Sequence, residues 1–412
     1  MIYFNKHVLS NGLKVLVHED NSTPMAVVNI MYNVGAKDEN PDKTGFAHLF
    51  EHLMFGGSIN IPDYDVPLQL AGGDNNAYTT NDLTNYYCVL PAQNIETAFW
   101  LESDRMLSLA FNKKSLNVQR KVVCEEFKEH YINKPYGDIW HKMRNLAYEV
   151  HPYKWMTIGK ELSHIETATI DDVKAFFFKY YRPNNAILVV AGNVQTNQIF
   201  QLAEKWFGDI PSSEKINKNI PVEPKQTQNK FLELHANVPL DAIIKTWHID
   251  ARLTKGYYTA DLITEIFGGG ASSRLFNKLV KEKKLFSNIN CYHFGTIDPG
   301  LLTIEGKLVK GIRMQDAETA IQEELDKIKS ILIEDKELQK VKNRTESLIT
   351  FEDVSIASRA NSLAMYELLG DAELMNSELS KYQEITVQDI QQYAQTIFDD
   401  KNSSTIHYYS KN

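Results

Sequence analysis

The chain has 412 residues, 43% of them hydrophobic, and a formal net charge of −9. That is enough apolar material for two sizeable cores, and the acidic balance argues against nucleic acid as a partner. No apolar run approaches the roughly 20 residues of a membrane span, and residues 1–7 do not open a secretory signal pattern. The expectation is therefore a cytoplasmic protein, or a periplasmic one whose signal has been removed.

In chain order, residues 9–17 carry the Asn11-Gly12 signature of a tight hairpin, and a strand follows through residues 26–31. The next segment holds His48-Leu49-Phe50-Glu51-His52. On a helix, positions 48 and 52 lie one turn apart, about 6 Å along the axis, so both imidazoles point the same way. That bite suits one zinc ion, and Glu51 can reach a water at such an ion without ligating it. Chance supplies roughly 0.05 such motifs in a chain of this composition. The flanking Phe46, Leu49, Phe50, Leu53 and Met54 argue against a plain surface helix, because they hold the polar trio in largely apolar surroundings. The residues thus read as a metallohydrolase centre.

Catalytic zinc takes three protein ligands and keeps a fourth position open, so a third ligand is needed elsewhere. Helical patterns run over 94–109 and 113–131, and the second offers Glu125, Glu126, Glu129 and His130. Spacing alone does not separate these neighbours. His18, His130, His141, His151 and His164 otherwise read as surface or packing residues. Cys88, Cys124 and Cys291 are odd in number and far apart, which suits packing roles in a reducing compartment better than a disulfide framework.

The chain also repeats itself. Thr169-Ile170-Asp171-Asp172-Val173 opens a helix leading into a strand at 185–191, and Thr386-Val387-Gln388-Asp389-Ile390 opens one leading into a strand at 404–409, with starts 217 residues apart. Leu53-Met54-Phe55-Gly56-Gly57 is echoed by Glu265-Ile266-Phe267-Gly268-Gly269 at an offset of 212. At that offset His48, Glu51 and His52 fall on Ala260, Ile263 and Thr264, so only the first half keeps metal-binding chemistry. Residues 211–221 are polar and bracketed by proline, as a linker should be. The expected division is a zinc-bearing domain at 1–210, a linker at 211–228 and a homologous domain without a metal site at 229–412. The expected fold class is α+β, each half a mainly antiparallel sheet with helices packed on one face.

The inverted motif resembles that of the M16 metallopeptidases, the family of pitrilysin, insulin-degrading enzyme and mitochondrial processing peptidase. The likeness extends over Gly45-Phe46-Ala47-His48-Leu49-Phe50-Glu51-His52-Leu53-Met54-Phe55-Gly56-Gly57-Ser58, and Asn75-Asn76-Ala77-Tyr78-Thr79-Thr80 resembles the family's substrate-side edge strand. The resemblance implies the M16/LuxS-like fold and a Zn2+ ion held by His48, His52 and Glu126. It implies Glu51 as general base in hydrolysis of a peptide bond. The third ligand ends an E-x6-E pattern in the family; its first acid is Gln119 here, which can hydrogen-bond in a supporting role but brings no charge. The edge around Asn76, Ala77 and Tyr78 implies that short or unfolded peptides add as an extended strand, although Tyr78 also reads as an ordinary strand aromatic.

Gly268-Gly269-Gly270-Ala271-Ser272-Ser273-Arg274-Leu275-Phe276 resembles the segment that opens the family's C-terminal half. Many members then carry an Arg and a Tyr that contact substrate near the zinc, and those positions fall on Val280 and Ser287. Arg274 and Tyr292 are nearby substitutes in a poor register. Some bacterial members divide the two functions between homologous chains, so the resemblance implies a zinc-bearing subunit of a heterodimer whose partner supplies the Arg and Tyr. A self-sufficient enzyme, a structural partner of little activity and a zinc hydrolase acting on small amides or esters stay open beside it.

Overall fold

The computed structural model describes residues 1–411. The chain divides into two compact units. The first comprises residues Met1–His130, Trp155–Pro221 and Thr350–Ser377; the second comprises Tyr131–Lys154, Val222–Ile349 and Glu378–Asn412.

The first unit is built on a six-stranded sheet in the order β1-β2-β6-β3-β5-β4. Its strands are β1 Asn5–Val8, β2 Lys14–Glu19, β3 Met25–Tyr32, β4 Asp74–Thr79, β5 Thr84–Pro91 and β6 Ala186–Gly192. β1 and β2 form the expected hairpin, Val8 opposite Lys14, with Gly12 at φ 89° in the turn. Only β2 and β6 run parallel. β4 pairs with β5 alone and is an edge strand.

The second unit carries β7 Lys230–Ala236, β8 Ala242–His248, β9 Phe286–His293, β10 Leu301–Leu308 and β11 Ser403–Ser410, in the order β7-β11-β8-β10-β9. Substituting β2, β6, β3, β5 and β4 in turn reproduces the first sheet's order. The single parallel pair is again the first and last of these strands in sequence, β7 with β11. The sequence repeat is therefore a repeated topology. Each half closes on a helix with the same capping box, Thr169 with Asp172 before β6 and Thr386 with Asp389 before β11, both side chains satisfying each other's backbone N–H.

The α+β class, two sheets with packed helices, is as expected. The compact units do not coincide with a contiguous division at 210 and 229, and each sheet also carries a helix on its second face. In the first unit the helix Ile356–Leu368, drawn from the C-terminal half of the sequence, lies on β3 and β6. It buries Ala360, Leu363 and Ala364 against Leu16, Val27, Met31, Ile187 and Val189. Val15, Val17, Val28 and Ile30, the alternate residues of the same strands, are equally buried on the other face. In the second unit the helix Ile139–Ala147 plays the corresponding part, packing Ile139 and Met143 with Ala242, Ile244, Ile406 and Tyr408. Central strands buried on both faces read as nearly unbroken apolar runs, and β3 and β6 do so.

The expected linker has no regular structure between Pro211 and β7. It is nevertheless anchored to the first unit, because Lys218 Nζ donates to Asn33 Oδ1 at 2.8 Å and Asp38 Oδ2 at 2.9 Å. Cys88, Cys124 and Cys291 are free and buried. No helix among the described residues is long and apolar enough to cross a membrane.

In the second unit the helix Met314–Ser330 is tied to its sheet by Glu318, which accepts from Lys245 Nζ at 2.8 Å and pairs with His407 Nε2 at 3.0 Å. The His407 hydrogen bond, with help from Lys245, holds this carboxyl at about 2, below the usual range. An acid with a lowered folded pKa stabilises above its unfolded value, about 4.3, and that stability is lost as pH falls towards 2. Glu318→Gln should lower unfolding free energy at pH 7 by about 2 kcal/mol, allowing for the group's partial exposure. The deficit against wild type should shrink towards pH 2.5; an equal deficit at both pH values would dissociate Glu318 from the acid limb.

Candidate metal centre

The helix Phe46–Leu53 buries Phe46, Ala47, Leu49, Phe50 and Leu53. Phe50 stacks on Phe176 and Tyr181 at 5.1 Å between ring centroids. With those positions inward, 48, 51 and 52 are left on the partly open stripe, as helical spacing requires. Gly45 precedes the helix at φ 87°, and a Cβ there would lie 2.6 Å from Ile158 O, so glycine is required on both counts.

A glycine at the N-cap has no side chain to satisfy the first orphan amides. Glu39 does this from outside the helix: its Oε2 accepts from Gly45 N at 2.9 Å and its Oε1 from Ala47 N at 2.8 Å. Burial pushes its carboxyl up to about 8 against the lowering effect of those amides. Glu39 thus fixes the start of the motif helix, a role the sequence hides because the contact is made from a preceding loop.

Across from this helix runs Lys113–Phe127, capped by Asn112, whose side chain accepts from Ser115 N at 2.6 Å. It buries Leu116, Val123, Cys124 and Phe127, which turns Glu126 towards the histidines. Glu126 Oε2 lies 3.7 Å from His48 Nε2 and 3.5 Å from His52 Nε2. One donor atom from each of the three residues falls within 4.8 Å of the others. Donors at about 2.0–2.2 Å from one tetrahedral ion stand about 3.3–3.6 Å apart, so the two separations from Glu126 lie close to that spacing, and two imidazoles with a carboxylate are a donor set that zinc takes. The two rings meet edge to face, 4.9 Å between centroids. Burial, then the neighbouring His52, lower the His48 imidazole to about 4, which leaves it in the neutral form that ligates metals.

The rival third ligands are elsewhere. Glu125 is largely exposed and pairs with Lys128 at 2.8 Å, and Glu129 and His130 are exposed on the π-helical turn Lys128–Ile132 that follows. Gln119 is half-buried two turns before Glu126, and among the described residues its side chain makes no hydrogen bond to the cluster.

Glu51 sits beside the three donors. Burial raises its carboxyl above the ordinary range, opposed by a hydrogen bond from Thr79 and by His52, and reinforced by Glu126. Its Oε2 accepts from Thr79 Oγ1 at 2.6 Å. Thr79 ends the edge strand β4, which also holds Asn76, Ala77 and Tyr78. Ala77 N donates to Asn76 Oδ1 at 2.8 Å. The Tyr78 hydroxyl donates to Asn361 and its ring packs with the core under the helix Ile356–Leu368, so its side chain serves that core. Thr79, one residue on, projects to the opposite face.

In the second unit the corresponding helix, Lys255–Gly268, carries Ala260, Ile263 and Thr264, all buried. Of its two acids, Asp261 is closed on both oxygens, to His293 Nε2 at 2.9 Å and Tyr382 OH at 2.7 Å, and Glu265 pairs with Arg344 at 2.8 Å. Val280 packs against the core of that unit, and Ser287 Oγ donates to Lys307 O at 3.1 Å. Arg274 is forked onto Glu337 at 2.9 and 2.6 Å, and Tyr292 OH donates to Glu305 at 2.8 Å. Both substitutes are thus engaged locally.

Comparison with known proteins agrees with the motif. Residues 14–149 match the family description Insulinase (Peptidase family M16), and residues 167–345 match Peptidase M16 inactive domain. The zinc protease PqqE of Helicobacter pylori is 29% identical over 415 residues, covering 98% of this chain and 93% of that protein. Mitochondrial-processing peptidase subunit beta of Saccharomyces cerevisiae is 29% identical over 209 residues, or 50% of this chain and 45% of that one. Among solved structures, a protease from Helicobacter pylori superimposes with a TM-score of 0.94 at 28% identity, covering 99% of this chain and 100% of that one. The periplasmic protease PqqL from Escherichia coli shares the fold at a TM-score of 0.80 and 19% identity, and this chain spans 48% of it. With both halves matched in order and the inverted histidine motif on its expected helix, the chain is a member of the M16 peptidase family.

Proposed function

We propose that this chain is a zinc-dependent endopeptidase for short or unfolded peptides and the zinc-bearing subunit of a heterodimer. The observation that carries the reading is the convergence of His48 Nε2, His52 Nε2 and Glu126 Oε2 beside Glu51, on a helix bonded to an edge strand. His48, His52 and Glu126 would hold the ion. When bound there, the ion would supply Lewis acidity towards water and the peptide carbonyl. Glu51 would take a proton from the attacking water on Oε1, the oxygen left free by Thr79, as the water oxygen bonds to the carbonyl carbon, and would pass that proton to the amine nitrogen as the C–N bond breaks. The outer edge of β4 receives the peptide as an added strand, which selects extended backbone over folded protein.

What the second unit lacks supports the heterodimer reading. An aliphatic Val280 offers no charge, Ser287 no phenol, and Arg274 and Tyr292 are held by Glu337 and Glu305. PqqL is about twice the length of this chain, and a relative is named a subunit; both support a second homologous chain as the source of the missing groups. The test is hydrolysis of unstructured peptides by the zinc-loaded chain, alone and mixed with a homologous chain encoded beside it, before and after chelation. Activity confined to the mixture and abolished by chelation is expected. Full activity alone would overturn the heterodimer, and activity that survives chelation would overturn the zinc mechanism.

A further inference from the structure

Among the described residues, Thr79 is the only hydrogen-bond partner of the Glu51 carboxylate. Its Oγ1 lies 2.6 Å from Glu51 Oε2, in the range of an O–H donor on a charged acceptor, where hydrogen bonds are strongest. Thr79 is well placed to hold a geometry. Its backbone is paired in register with Thr84 at the last position of β4, and β-branching limits its side-chain rotamers. A carboxylate held at one oxygen loses rotation about its terminal torsion, and the other oxygen then faces one direction. The second unit offers the contrast: Asp261 is held at both oxygens by His293, at the end of the matching strand β9, and by Tyr382. The two acids are not equivalent positions, since Glu51 falls on Ile263 at the repeat offset, but among the described residues Asp261 has both oxygens engaged and Glu51 has one.

We propose that Thr79 is a positioning residue for Glu51: its hydroxyl pins Oε2, aims Oε1 at the reacting water, and couples the base to the strand that receives the peptide. The coupling is short, because Thr79 adjoins the Asn76-Ala77-Tyr78 edge on the same strand. A peptide that pairs with β4 presses on the element that orients the base. This inference rests on the reading of Glu51 as general base.

The test compares Thr79→Val, which keeps the shape and deletes the hydroxyl, with Thr79→Ser, which keeps the hydroxyl, beside Glu51→Gln and wild type. Each is assayed with zinc on one unstructured peptide, in the presence of the homologous chain if activity requires it. Thr79→Val should lose about ten- to a hundredfold in kcat with KM within twofold, the scale of one hydrogen bond to a charged group. Thr79→Ser should recover most of that loss. Zinc affinity, read by competition with a chelating dye, and thermal midpoint should match wild type in both. An infrared readout stands apart from turnover: the carboxylate stretch missing in Glu51→Gln should shift in Thr79→Val and return in Thr79→Ser. Wild-type kcat in Thr79→Val, or serine no better than valine, would overturn the positioning role, as would an unshifted band. If Glu51→Gln is itself fully active, the general-base reading has failed instead, and the two failures are told apart by that one variant.

Discussion

Glu51→Gln should cut peptide hydrolysis by about 10²–10⁴-fold while zinc stays bound. The substitution is nearly isosteric, and its amide oxygen can still accept from the Thr79 hydroxyl that now reaches Oε2 at 2.6 Å. The donor atoms of His48, His52 and Glu126 are untouched. What disappears is an oxygen able to take a proton, and positioned acid–base groups are worth about 10²–10⁴-fold in rate. The expected result is a fall in kcat of that size, with metal content and thermal midpoint at wild-type values.

The opposite outcomes are informative in different ways. An unchanged kcat would remove Glu51 from the mechanism. Loss of zinc together with activity would mean that Glu51 helps to hold the ion, against the present placement of its carboxylate beside the donors rather than among them. The variant also answers whether the chain is a structural subunit, since a protein that never hydrolyses peptide, alone or in a mixture, has no rate for the substitution to lower.

The grouping of the candidate ligands was more legible in the sequence than the packing was. His48 and His52 are joined by one helical turn, and a spacing of four fixes their common direction without reference to the rest of the fold. The repeat was legible for a related reason: capping boxes and Gly-Gly turns are local signals, and both recur at matching positions. Glu126 was different. Successive residues on a helix point about 100° apart, and the face is decided by which neighbours bury. Val123 and Phe127 do so here, but Val122 and Val118 are equally apolar and exposed, so family likeness was needed to choose. Glu39 and Thr79 were hidden for a third reason. Each meets the motif helix through space, from a loop and from a strand end, and nothing in local composition marks the contact.

The exchange of helices between the halves was likewise hidden, and it yields the second large effect: a fragment ending at Pro221 should fail to form a stable zinc-binding unit. That fragment contains His48, Glu51, His52 and Glu126, and by a contiguous division it would be a complete domain. It lacks Thr350–Ser377, which belongs to the first compact unit. Ala360, Leu363, Ala364 and Ala372 are fully buried on the sheet there, and Glu367 accepts from Lys6 at 2.6 Å and Lys14 at 2.7 Å. Arg359 also pairs with Asp20. Deleting the segment bares Leu16, Val27, Met31, Ile187 and Val189 on one face of the sheet. At about 1.5–3 kcal/mol for each large apolar side chain returned to water, the loss is comparable with the whole stability of about 5–15 kcal/mol of an ordinary domain. The same fragment retains Ile139–Ala147, whose apolar face packs in the second unit and would be left uncovered. Circular dichroism, gel filtration and zinc content of residues 1–221 should therefore show an aggregating, metal-poor chain, and adding residues 350–377 through a flexible linker should recover part of the fold. A monomeric 1–221 fragment that binds one zinc and melts cooperatively would show that the exchanged helix is dispensable to the unit that carries His48, His52 and Glu126.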